Sequence, residues 1–163
     1  MGGGTAGKTD PGSKLKDEEE GGAEMDALEE LRSICTEYEE AVQVIEKNKR
    51  MFDGILGLGN HPGNDPCHEK LDRRITALCA LAAEEGDAAE QEALTEAVFR
   101  LAESWKGPEY GRLMLLAQHR HTLELIPGLS REGRERLADW YGKTYPRRKR
   151  LPVQDQVFAA LKG

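Results

Sequence analysis

Residues 25–52 read MDALEELRSICTEYEEAVQVIEKNKRMF and set Leu28, Leu31, Cys35, Tyr38, Val42, Ile45 and Phe52 at three- and four-residue intervals, interrupted at Lys49. A helix returns such positions to one face each turn. The spacing therefore predicts a long amphipathic helix over about 25–56. The same intervals can seam a coiled coil, but fewer than four heptads are present, so packing within a bundle accounts for them more simply. Self-association through this helix is one expected partnership. The apolar inventory points the same way: Leu and Ala number 19 and 17, whereas Val and Ile number five each. Helix formers dominate and the β-branched residues of pleated sheet are scarce, which predicts an all-α protein.

Downstream, Asp65-Pro66 supplies an N-cap and a first-turn proline. The helix they open runs to about Glu85 and carries Leu71, Ile75, Leu78, Cys79 and Ala82 before Gly86. Asp87 with Glu90 forms an aspartate version of the capping box, followed by Leu94, Val98, Leu101 and Trp105. A fourth helix is expected over about 109–126, broken by Pro127-Gly128, and a fifth after Ser130, closed by Pro146. Pro152 opens a short sixth with Val153, Val157, Phe158 and Leu161. Five or six helices with short connections predict antiparallel neighbours in one bundle.

Residues 1–24 hold seven of the 18 glycines and only four hydrophobic residues. That composition predicts a disordered, acidic, glycine-rich tail ahead of one helical domain over 25–163. No apolar run reaches the length of a membrane helix, and no basic-then-apolar leader opens the chain. Cys35, Cys67 and Cys79 form neither an even disulfide framework nor a Cys-x-x-Cys pair. A cytoplasmic protein is the expectation. The net charge of −7 is uneven: residues 25–111 carry nine basic against 19 acidic side chains, and residues 112–163 carry 11 against five. An acidic partner for the second half is thus electrostatically reasonable.

Several motifs fail on context. Residues 2–9, GGGTAGKT, match a phosphate-loop string, but no strand precedes them and Asp10-Pro11-Gly12 follows where a helix is required. Gly57, Gly59 and Gly63 approach a helix start from a helix and not from a strand, which excludes a dinucleotide fold. His61, Asp65, Cys67 and His68 fall within eight residues, and all three side-chain types bind zinc. Their spacing is not that of a known zinc motif, and His119 and His121, two apart on a helix, would point to opposite sides. Cys67 near a helix start, beside His68, could also serve as a nucleophile if its thiolate were stabilised. The bland reading of the same residues is a capped helix start with no cofactor.

The strongest departure from what packing requires is basic. Arg131, Arg134 and Arg136 follow the Pro127-Gly128 turn in an outline resembling a helix-turn-helix over 113–141, and Lys143, Arg147, Arg148, Lys149 and Arg150 follow within eight residues. Glu132, Glu135 and Asp139 interleave with the arginines, which disfavours phosphate. The reading that results is a small, non-enzymatic interaction or regulatory module that binds a protein partner. Nucleic acid bound by 113–141 and the basic segment 143–150 is the first alternative. A metal- or thiol-dependent site at 61–68 is the second.

Overall fold

The computed structural model describes the backbone over residues 11–53 and 61–163, and side chains over 26–50 and 61–163. The fold is one all-α domain, with six α-helices and no strand among the described residues. They are α1 (Pro11–Asp53), α2 (Pro66–Glu85), α3 (Ala88–Ser104), α4 (Glu109–Ala117), α5 (Arg131–Thr144) and α6 (Pro152–Lys162). The tail expected over 1–24 falls on residues whose side chains lie outside those described, as do the phosphate-loop string 2–9 and the Gly57 and Gly59 pair.

α1 buries Leu31, Ile34, Tyr38 and Val42 against α2 and α3. Leu31, Tyr38 and Val42 of the expected stripe thus pack inside the chain, Ile34 joins them, and Cys35 is partly buried against the same core. α2 and α3 begin where their local signals place them. Asp65 accepts a hydrogen bond from the Cys67 amide at 2.9 Å. Asp87 and Glu90 cap each other's backbone, with Glu90 N–H donating to Asp87 at 2.9 Å and Asp87 N–H to Glu90 at 2.8 Å.

The expected fourth helix over about 109–126 requires correction. α4 ends at Ala117, and the chain tightens into a 3-10 segment, Gln118–Glu124, and a second one, Ile126–Gly128. The cause is local. The Gln118 amide bonds back to the carbonyls of Leu115 and Leu116 while its own side chain donates to the Met114 carbonyl at 3.0 Å. Four residues on, Thr122 donates to the His119 carbonyl at 2.7 Å. Side chains thus satisfy carbonyls that the α-helical ladder would have used. Each 3-10 residue advances about 120°, against 100° in an α-helix. The tightened segment accordingly lays against α2 on one side and α6 on the other.

Burial around this segment follows. Leu115, Leu116, Leu125 and Ile126 are buried whereas Leu113 is left 45% exposed. Phe99, 0% exposed, sits edge-on to Tyr141 with ring centroids 4.7 Å apart and stacks on Trp140 at 6.2 Å. Tyr145 closes this aromatic cluster 5.0 Å from Tyr141. Such pairs add to stability beyond the area they bury.

Candidate functional site

The His61–His68 region forms a helix start tied to two neighbours. His61 Nδ1 accepts from the Gly63 amide at 3.0 Å and opens the 3-10 turn Pro62–Asn64. Asp65 caps α2. His68, 7% exposed, has Nε2 2.8 Å from the Pro62 carbonyl and Nδ1 2.9 Å from the Tyr38 hydroxyl. A carbonyl only accepts, so in the neutral ring Nε2 carries the proton and Nδ1 accepts from Tyr38. Tyr110 packs edge-on at 5.8 Å from the His68 ring and donates its hydroxyl to Glu46 at 2.7 Å. The loop thereby fastens α2 and α4 to α1.

This geometry bears on metal and thiol chemistry. Neither ring nitrogen of His68 has a lone pair to offer a metal without giving up a partner. Cys67 Sγ lies 3.9 Å from a His68 Nδ1 that Tyr38 already occupies. Burial, with the Asp65 carboxylate adding to it, pushes the Cys67 thiol up to about 12. A nucleophilic thiol needs the opposite shift. Burial likewise raises Cys35 to about 11 and Cys79 to about 12. Among the described residues no three His, Cys, Asp or Glu side chains converge as a metal would require.

His119 and His121 stand apart from that loop and from each other. His121 Nε2 meets Asp72 at 2.9 Å, and Arg120 reaches the same carboxylate oxygen at 2.7 Å. Burial pushes the Asp72 carboxyl up, but the His121 and Arg120 contacts outweigh it and hold the group below its usual range. Thr76 Oγ also lies 3.0 Å from His121 Nε2, on the edge that Asp72 occupies. The same oxygen lies 3.4 Å from Nδ1, but it donates its proton to the Asp72 backbone carbonyl at 2.6 Å, so the three groups do not line up as a relay, in which the ring takes the hydroxyl's proton. His119 turns inward, where Nδ1 bonds the Tyr141 hydroxyl at 2.9 Å.

The eight basic residues separate into two groups. Arg131 pairs with Glu135 at 3.2 Å and Lys143 with Asp139 at 3.1 Å. Arg150 is 10% exposed, pairs with Asp155 at 2.9 Å and lies 4.5 Å over the Phe158 ring. Arg134 is half-buried, with its Nε enclosed and unmatched. The neighbouring Arg136 is held 2.8 Å from both Glu92 and Glu96 of α3. By contrast, Arg147, Arg148 and Lys149 form the exposed 3-10 turn Arg147–Lys149, and none has a carboxylate in ion-pair reach among the described residues. Leu151, 39% exposed, adjoins them.

The helix-turn-helix outline is also altered. Such a motif joins its helices through three or four residues, whereas residues 118–130 separate α4 from α5 here. The reason is the early tightening at Gln118.

Gln118 and Gln154 carried no signal in the sequence, and His119 stood out there only as a histidine two residues from His121. Gln118, His119 and Gln154 are fully buried, and among the described residues Gln118 Oε1, His119 Nε2 and Gln154 Nε2 have no hydrogen-bond partner. Burial pushes the His119 imidazole down to about 4, opposed in part by the Phe99 backbone. A polar residue on a mixed stripe reads as surface until packing encloses it. Among the described residues no helix is long and apolar enough to cross a membrane. No protein-family model matches the chain, and no curated protein or solved structure matches it either.

Proposed function

We propose that the chain is a small helical interaction module that docks an acidic segment of another protein on the turn Arg147–Lys149. The observation that carries this reading is three adjacent exposed cations without carboxylate partners among the described residues, next to a half-exposed Leu151. Unpaired charge steers encounter, and an adjacent apolar side chain gives the partner something to bury. The turn is held from within: Arg150 donates toward the Tyr145 carbonyl at 3.5 Å, and the Lys149 amide bonds the Pro146 carbonyl at 2.7 Å. A preformed turn reduces the ordering cost of binding. The three free cysteines, Cys35, Cys67 and Cys79, suit a cytoplasmic setting.

Protein is favoured over nucleic acid for two reasons. The arginines that would line a recognition helix are tied up, Arg136 by two glutamates and Arg131 by one. The chain as a whole carries −7, which opposes a long, densely charged polyanion more strongly than a short acidic segment. Fluorescence anisotropy with a labelled Glu/Leu peptide, beside a DNA duplex, tests the reading. The peptide should bind, and the combined change Arg147→Ser, Arg148→Ser and Lys149→Ser should weaken it by about tenfold or more. Undiminished peptide binding by that variant, or tighter binding of the duplex than of the peptide, would sink the proposal.

A further inference from the structure

On the opposite pole of charge, a groove of about 620 Å³ runs between α1 and α2. Its floor is Ala27 of α1 with Ala77, Leu78 and Leu81 of α2. Leu81 is 51% exposed and continues the apolar floor made by Ala27, Ala77 and Leu78. The alanines keep the floor low, so that the axis of a third helix could approach within the short end of the usual 8–10 Å range.

The rim selects the occupant. Asp26, Glu85 and Glu90 stand around the floor. Among the described residues the single cation there is Arg74, which is neutralised by Glu30 at 3.4 Å and Glu37 at 2.8 Å. A second copy seated through the same face would bring these carboxylates against their own equivalents, and like charges at an interface oppose binding. A nucleic acid or an anionic lipid surface would be repelled by the same rim. We infer that this groove takes a basic amphipathic helix of a partner protein, whose apolar face covers Leu81 and whose lysines or arginines reach the rim carboxylates. The site is separate from the Arg147–Lys149 turn, and it stands or falls independently of that proposal.

The test uses the full chain and a fluorescein-labelled Leu/Lys peptide of about four helical turns, with leucines at three- and four-residue intervals. A Leu/Glu peptide and a Lys/Ser peptide of the same lengths are the controls. The Leu/Lys peptide should bind and the Lys/Ser peptide should not, and whatever binding the Leu/Glu peptide shows should vanish in the Arg147→Ser, Arg148→Ser, Lys149→Ser protein while being untouched by Leu81→Ser. Leu81→Ser should weaken binding by about tenfold with no change in thermal midpoint. Asp26→Asn combined with Glu85→Gln should flatten the dependence of affinity on salt. The Arg147→Ser, Arg148→Ser, Lys149→Ser protein should bind the Leu/Lys peptide as the unmodified chain does. Equal affinity after Leu81→Ser, or a Lys/Ser peptide as tight as the Leu/Lys one, would overturn the inference. So would concentration-dependent self-association of the chain that Leu81→Ser abolishes, because a second copy would then be the occupant.

Discussion

At His119 the imidazole is 0% exposed, with Nδ1 bonded to Tyr141 and Nε2 unmatched. A proton added to this ring would be a charge without solvent or counter-ion, so burial holds its pKa down to about 4 from 6.5. In the unfolded chain the ring takes a proton near the ordinary value; in the folded chain it resists. Its contribution to stability is therefore complete above about pH 6.5 and is lost progressively as pH falls to 4, a difference of about 3 kcal/mol. Urea midpoints at pH 7 and pH 4.5 check this. The unmodified protein should lose most of that stability between the two, and His119→Gln should lose distinctly less. Equal losses would refute the assignment. Asp72 and Glu96, whose cationic partners hold them below the usual carboxylate range, add a decline of the same sign at lower pH.

Gln91 of α3 joins three segments. Its side-chain amide donates to the carbonyls of Ala82 at 2.9 Å, Ala83 at 3.3 Å and Gly86 at 3.1 Å, closing the C-terminus of α2. Gly86 itself has φ −86°, so it is no left-handed cap; a side chain there would crowd the Ala82 carbonyl at 2.8 Å. On the other side, a Cβ at Gly128 would collide with Oε1 of the Gln91 side chain. Gly128→Ala should thus cost about 1–3 kcal/mol by denaturant unfolding. Combined with Gln91→Ala, the loss should fall short of the sum of the single losses. Full additivity would show that the two sites are not in contact.

The starts of α2 and α3 were legible because Asp65-Pro66 and Asp87 with Glu90 act within four residues of themselves. The end of α4 was not, because it turns on the Gln118 side chain taking the Met114 carbonyl once both are enclosed. The same holds for the basic residues. Eight cations look alike in sequence, and what separates them is the position of carboxylates such as Glu135 and Asp155 in the fold. At 61–68 the sequence brought the right residues together, but the spatial partners Tyr38 and Tyr110, which commit His68 to a structural role, lie 30 and 42 positions away.

Over the whole molecule, the uneven charge is partly cancelled by long-range pairing: Arg120 reaches back to Asp72, and Arg136 to Glu92 and Glu96. One contiguous core runs from Leu31 to Leu161. The two tryptophans report on separate parts of it, Trp105 beside Tyr38 at 5.6 Å and Trp140 beside Phe99. Unfolding should therefore be a single transition, with Trp105→Phe and Trp140→Phe each leaving fluorescence and far-ultraviolet dichroism coincident. Distinct midpoints from the two remaining tryptophans would show that the halves unfold separately. The tightened segment Gln118–Glu124 also sets a rule for divergence. Seven residues gain about 20° each over α-helical winding, so everything after Glu124 is oriented by their number. An insertion of one residue there would rotate Leu125 and Ile126 out of the core by about a third of a turn. Chains descended from a common ancestor with this one should keep that stretch at constant length while their other connections vary, so gap placement would reveal kinship before residue identity did.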